Sequence, residues 1–166
     1  FMHSNVNNLI EIQKKIQLKI SEKNLSTTQP KIIAVSKTHP MTSILPLINH
    51  GHLDFGENKV QEAIDKWTEI KSKNPNIKLH MIGKLQTNKV KLVVKLFDYI
   101  HSVDSEKLAK KIADEQIKIN KKIKIFIQVN IGDEDQKSGI SKKELNNLFF
   151  YCKKIDLDVV GLMCIP

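Results

Sequence analysis

The chain has 166 residues, enough for one domain with a substantial core, and a formal net charge of +9. All 27 basic residues are lysine. Arginine, the usual fork for bidentate recognition of phosphates and base edges, is absent, which argues against sequence-specific nucleic-acid binding.

A lysine-rich nucleic-acid binder would rest on charge alone, and the lysines are scattered as on a solvated surface. Cys152 and Cys164 build neither a disulfide framework nor a zinc site. The apolar stretch at 159–165 includes a glycine and is too short to span a bilayer. The first five residues are polar, without the apolar core of a signal peptide, and Phe1 before Met2 reads as a cloning remnant. The expectation is a soluble, reduced, cytoplasmic protein with no membrane or nucleic-acid partner.

Val6, Leu9, Ile12, Ile16 and Ile20 share one stripe, which predicts an amphipathic helix over 5–23. Ile32, Ile33, Ala34 and Val35 form a β-branched run suited to a strand buried on both faces. Pro40 ends the ladder. Alternation puts Lys37 on the face of Ile33 and Val35, where burial is expected. An ammonium there is costly unless it is paired, neutralised or used covalently, and a strand-end lysine snorkelling into water is the plainer reading. Thr42 or Ser43 caps a helix that ends at His50-Gly51.

Leu53-Asp54-Phe55 is a second strand closed by Gly56. Asn58 opens a helix whose buried face is Val60, Ala63, Ile64, Trp67 and Ile70. Residues 78–82 form the third strand, Thr87 caps a short helix, and Tyr99-Ile100-His101 is the fourth strand. Ser105 caps the next helix. Over 123–131 isoleucine and valine alternate with Lys124, Phe126, Gln128 and Asn130, the clearest strand in the chain. Its apolar face is expected against helices. Gln128 and Asn130 then either face a ligand near the strand end or pair with polar neighbours. A loop at 132–139, a helix capped by Ser141 and a sixth strand at 157–160 complete the pattern. Strands alternating with helices through short connections indicate one parallel-sheet domain over 1–166.

Ala34-Val35-Ser36-Lys37-Thr38 is followed in order by Phe55-Gly56-Glu57-Asn58, by the run from His80 to Lys89 (HMIGKLQTNK) and by His101-Ser102-Val103-Asp104-Ser105. Gln128-Val129-Asn130, Lys137-Ser138-Gly139 and Gly161-Leu162-Met163-Cys164-Ile165-Pro166 come after. This series closely resembles the pyridoxal phosphate homeostasis protein family, which has the barrel of the alanine racemase N-terminal domain. The resemblance implies an α/β fold of the TIM (β/α)8 type, incomplete here, with about six of the eight βα units plus an N-terminal helix. It also implies that the domain is truncated at its C-terminal side. The family's last two units, its phosphate-holding residues and an arginine facing the cofactor's pyridine nitrogen would lie beyond Pro166. Binding of the cofactor by this stretch alone is therefore expected to be weak.

By the same resemblance Lys37 holds pyridoxal 5′-phosphate (PLP) as a Schiff base. The amine must be neutral to react, and with an ordinary pKa of about 10.4 well under ~1 % of a lysine is neutral at pH 7. Burial and nearby cations would raise that fraction. Lys84 and Lys137, at the ends of the third and fifth strands, are candidate cations that also draw in a phosphate, or else ordinary loop lysines. Asn58 either contacts the cofactor or caps its helix. Asn130 and His80 complete the candidate cofactor-binding set, a satisfied core histidine being the plainer reading of His80. His39 replaces what is often a second lysine in the family. The function implied is non-catalytic handling of PLP in the cell, with PLP-dependent apo-enzymes as recipients and a monomeric full-length parent. The alternative is a fold-type III amino-acid racemase. That enzyme needs a second acid–base group, usually a tyrosine from another domain, and only Tyr99 and Tyr151 exist here.

Overall fold

The computed structural model describes residues 2–27, 29–132 and 137–166. Among them six α-helices alternate with seven strands. The helices are α1 (Ser4–Glu22), α2 (Met41–Asn49), α3 (Val60–Lys73), α4 (Val90–Leu96), α5 (Glu106–Lys118) and α6 (Leu145–Lys154). The strands are β1 (Ala34–Val35), β2 (Asp54–Glu57), β3 (Lys78–Met81), β4 (Tyr99–Val103), β5 (Lys124–Asn130), β6 (Ile140–Ser141) and β7 (Asp158–Met163). Every pairing is parallel. The order across the sheet is β1-β2-β3-β4-β5-β7, with β6 paired to the C-terminal end of β5. No hydrogen-bonded pairing joins β1 to β7 among the described residues, so the parallel sheet is an open arc.

The core lies between one face of this arc and the helices. Phe55, Leu79, Met81, Ile100, Ile125 and Ile127 from the strands meet Ala63, Trp67, Val93, Val94, Ile112 and Leu148 from the helices. The alternation of β5 works as expected. Ile125 and Ile127 enter the core, while Phe126 stacks on His101 on the other face. Ser105 caps α5, its Oγ accepting from Leu108 N at 3.2 Å.

Several local expectations are corrected. Gly56 does not close β2 but sits inside it, because Ile82 and Ile33 approach within 3.1 and 3.2 Å of where its Cβ would be. Lys59, not Asn58, is the N-cap of α3, and it makes no side-chain capping bond. α2 starts behind Pro40 without a capping side chain. Thr87 begins a one-turn 3₁₀ helix rather than capping α4. The short β6 was not anticipated. Gly139, at φ +119°, brings the chain back so closely that an added Cβ would stand 2.6 Å from Asn130 N. Ser141 pairs in β6, and Glu144 takes the N-cap position of α6. Part of the predicted 132–139 loop lies outside the described residues.

Candidate functional site

The segment after β1 is held before it turns away. Ser36 N donates to Gly56 O at 3.0 Å, and Ser36 Oγ donates to Glu57 Oε1 at 2.8 Å. His39 N donates to Ser36 O at 3.2 Å, which closes a turn with Lys37 and Thr38 at its centre. Lys37 is exposed, as in the plainer reading of a strand-end lysine, and is not buried on the face of Ile33 and Val35. The ladder ends at Val35, which is itself 48 % exposed, so the face that Ile33 and Val35 share is uncovered. The Lys37 ammonium makes no hydrogen bond or ion pair among the described residues.

β1 pairs with β2 through Val35 and Gly56, and β2 with β3 through Glu57 and Met81. Ile82 N donates to Glu57 O at 2.9 Å, which brings Asn58 level with Ile82 and Gly83 at the C-terminal rim of the sheet, and the Lys37 turn leaves β1 at the same end. Gly83 presses so closely on Asn58 that an added Cβ would lie 2.5 Å from the Asn58 carbonyl oxygen. Asn58 Oδ1 is buried and has no hydrogen-bond partner among the described residues. Such a group costs roughly 1–3 kcal/mol unless a partner arrives. Beyond Gly83 a cavity of about 240 Å³ opens between the ends of β3 and β5, where Lys84, Gln128, Asn130 and Lys137 meet. Gln128 Nε2 donates to Ser138 O at 3.4 Å, which ties the strand to the segment carrying Lys137.

His80 is held elsewhere, on the inner face below this rim. Its Nε2 lies 2.8 Å from Asp54 Oδ1 and its Nδ1 lies 2.9 Å from His101 Nε2. A carboxylate accepts, so His80 donates through Nε2–H and receives the His101 Nε2–H at Nδ1. Tyr99 stacks on His80 and Phe126 on His101, each with ring centroids 4.3 Å apart. Burial pushes His80 below its ordinary value against the opposing pull of Asp54. Burial, and then the neighbouring His80, push His101 down to about 4. Both imidazoles are neutral at pH 7.

The structure thus gathers Lys84, Asn130 and Lys137 around one cavity, packs Asn58 against Gly83 of its lining, puts Lys37 in the turn at the same end of the sheet, and leaves His80 apart. The sequence reading missed the cluster that buried Glu57 forms with Lys66 and the partly exposed Glu62 around the Lys37 turn. One signal was present: Glu62 and Lys66 are four residues apart on one helix. Glu62 is held below the usual carboxylate range, first by the Lys66 hydrogen bond and then by the Thr38 amide. Among the described residues no helix is long and apolar enough to cross a membrane, and no group of three metal-ligating side chains occurs.

The sequence model of the alanine racemase N-terminal domain matches residues 14–166. A pyridoxal phosphate homeostasis protein of Haemophilus influenzae is 38 % identical over 160 residues, covering 96 % of this chain and 68 % of that one. Its namesake in Escherichia coli strain K12 is 35 % identical over 167 residues, covering 99 % and 71 %. Among solved structures, PipY of Synechococcus elongatus PCC7942 with PLP bound superimposes at a TM-score of 0.76 with 34 % identity, over 87 % of this chain and 68 % of that one. An alanine racemase of Clostridium difficile 630 shares the fold at a TM-score of 0.66 and 16 % identity, over 89 % of this chain and 39 % of that one.

Proposed function

The chain belongs to the pyridoxal phosphate homeostasis protein family, with the alanine racemase N-terminal fold, and we propose that it binds PLP through Lys37 without catalysing a reaction of its own. The observation that carries this reading is the composition of the rim. An exposed primary amine at Lys37, unpartnered among the described residues, stands at the same end of the sheet as Asn58, whose buried Oδ1 lacks a donor among them, and as a cavity lined by Lys84 and Lys137. These residues fit the group: an amine for an aldehyde, cations for a phosphate, and amides from Asn58 and Asn130 for ring substituents. When bound, PLP would supply an aldehyde to which the Lys37 amine is the matching group. Lys37 supplies the amine from a fixed turn, Lys84 and Lys137 supply positive charge, and Gly83 keeps Asn58 at the rim. The PLP held by PipY supports the choice of cofactor.

The placement of the two tyrosines supports a non-catalytic role. Tyr99 stacks on His80 at the start of β4, and Tyr151 packs against the core from α6. Neither supplies a second acid–base group at the rim. In this reading the protein works in the cytoplasm as a monomer in its full-length form, and apo-enzymes that use PLP receive the cofactor. Its names among relatives support homeostasis over turnover.

Titration with PLP, borohydride reduction and peptide mapping test the assignment. The pyridoxyl mass is expected on Lys37, and Lys37→Ala is expected to lose the absorbance band of the bound cofactor. A label elsewhere, with Lys37 unmodified, overturns it. Stereospecific exchange of the alanine α-proton through many turnovers would overturn the non-catalytic part.

A further inference from the structure

Thr38 adopts φ +64°. A β-branched residue is unfavourable in that left-handed region, and the conformation persists only where the surroundings hold it. α3 does the holding. Glu62 Oε1 accepts from Thr38 N at 2.6 Å. Lys66 Nζ donates to Ser36 O at 2.8 Å, to Glu57 Oε1 at 2.8 Å and to Glu62 Oε1 at 3.0 Å, which uses all three of its donors. Glu57 Oε1 also accepts from Ser36 Oγ at 2.8 Å and Trp67 Nε1 at 2.9 Å. The Glu57 side chain is fully buried and that of Lys66 only 9 % exposed, so the bonds between them are shielded from water, while the Thr38–Glu62 bond lies at the surface.

The position of the bonds matters more than their number. Ser36 O belongs to the peptide unit before Lys37, and Thr38 N to the unit after it. The network therefore fixes both peptide planes that flank Lys37 and touches nothing of its side chain. A cluster serving only to dock α3 on the sheet has no need to grip those two planes.

We propose that Glu62 and Lys66 are positioning residues for Lys37, holding its backbone in a strained turn so that the free amine is presented at the rim. The proposal rests on Lys37 being the attachment residue. Its physical content is preorganisation, since a turn held in advance need not be ordered when the ligand binds.

The test compares Glu62→Ala, Glu62→Gln and the double variant Glu62→Ala/Thr38→Gly with the parent chain. Two readouts are followed: hydrogen exchange of the Thr38 amide without cofactor, and the dissociation constant for PLP. Loss of a hydrogen bond to a charged acceptor corresponds to roughly a tenfold to hundredfold change. Glu62→Ala is expected to speed Thr38 exchange by about that factor and to weaken PLP binding about tenfold. Glu62→Gln retains an acceptor oxygen and should fall between. Adding Thr38→Gly should restore much of the affinity, because glycine adopts a positive φ without strain. A folded Glu62→Ala chain with unchanged exchange and unchanged affinity overturns the proposal. If Glu62→Ala does not fold, Glu62→Gln decides by the same readouts, parent-like values overturning the proposal. PLP capture that survives Lys37→Ala sinks the underlying reading instead, and the Thr38 exchange then still reports on the clamp.

Discussion

An alanine at position 83 would bring a Cβ within 2.7 Å of Asn58 Cβ and 2.8 Å of its Cα, and backbone cannot step aside as a flexible side-chain tip does. Gly83→Ala should therefore destabilise the chain by about 1–3 kcal/mol, the usual cost of overpacking, and move Asn58 off the rim. A denaturant midpoint equal to that of the parent would contradict it. The His80–His101 pair gives a prediction in pH. Asp54, Tyr99, Phe126, Lys124 and, more remotely, Lys31 surround it. Both folded-state values lie below the ordinary 6.5, so the unfolded chain takes up protons first as pH falls. Stability from the neutral pair is complete above pH ~6.5 and is lost as pH falls toward His101's folded value of about 4, on the order of 3 kcal/mol for that ring. The depressed carboxylates Glu62, Glu69 and Glu115 titrate in the acid range below this window's upper half. Stability measured from pH 7 to 5 should decline in the parent and stay nearly flat in a His80→Gln/His101→Gln variant; an equal slope in both would reject the assignment. At this scale the sequence was only partly legible. Strand alternation places His80 and His101 on one face, but only the registers of three strands bring Asp54 beside them.

Ser105 caps α5 with a bond to Leu108 N, so Ser105→Ala should cost about 1 kcal/mol, read as a lowered thermal midpoint. An unchanged midpoint would mean that packing of Leu108 and Ile112 alone sets the start of this helix. Elements with long periodic faces were readable in advance: the stripe of α3 and the alternation of β5 each report burial over many residues. Short elements carry no such period. β6 has two residues, and it is made by the close approach of Gly139 to Asn130, a tertiary contact without a local signature. The end of β2 was misread for a related reason. Gly56 reads as a terminator in isolation, yet Ile33 and Ile82, which flank the two adjoining strands, fill the space its side chain would take. Asn58 likewise has the composition of a cap, but the helix begins one residue later and leaves its oxygen at the rim.

The molecule as a whole is an arc with helices on one face and, on the other, buried polar side chains such as Asp54, His80, His101 and Gln128 between two open edges. The order of strands and the outer core follow from the alternation of strand and helix and the short connections between them. The state of the inner face does not, because it depends on whether β1 and β7 meet. Among the described residues they do not, and the consequences are physical. Val35 is 48 % exposed, Leu162 58 % and Ile165 59 %, and both edge strands present backbone donors and acceptors without a partner strand beyond them. Apolar surface left in water forgoes about 25 cal/mol per Å², against total stabilities of about 5–15 kcal/mol for a domain. Lysines are the residues that keep an edge strand from pairing, but β1 and the 159–163 part of β7 carry none, even with a net charge of +9 on the whole chain. The 166-residue polypeptide is therefore expected to associate with itself through these edges. Sedimentation over a range of concentrations should show oligomers. Val35→Lys together with Leu162→Lys, which place charge on both edges, should shift the distribution toward monomer. A parent chain that sediments as a single monomeric species and binds no apolar dye would show that the open edges are tolerated as they stand.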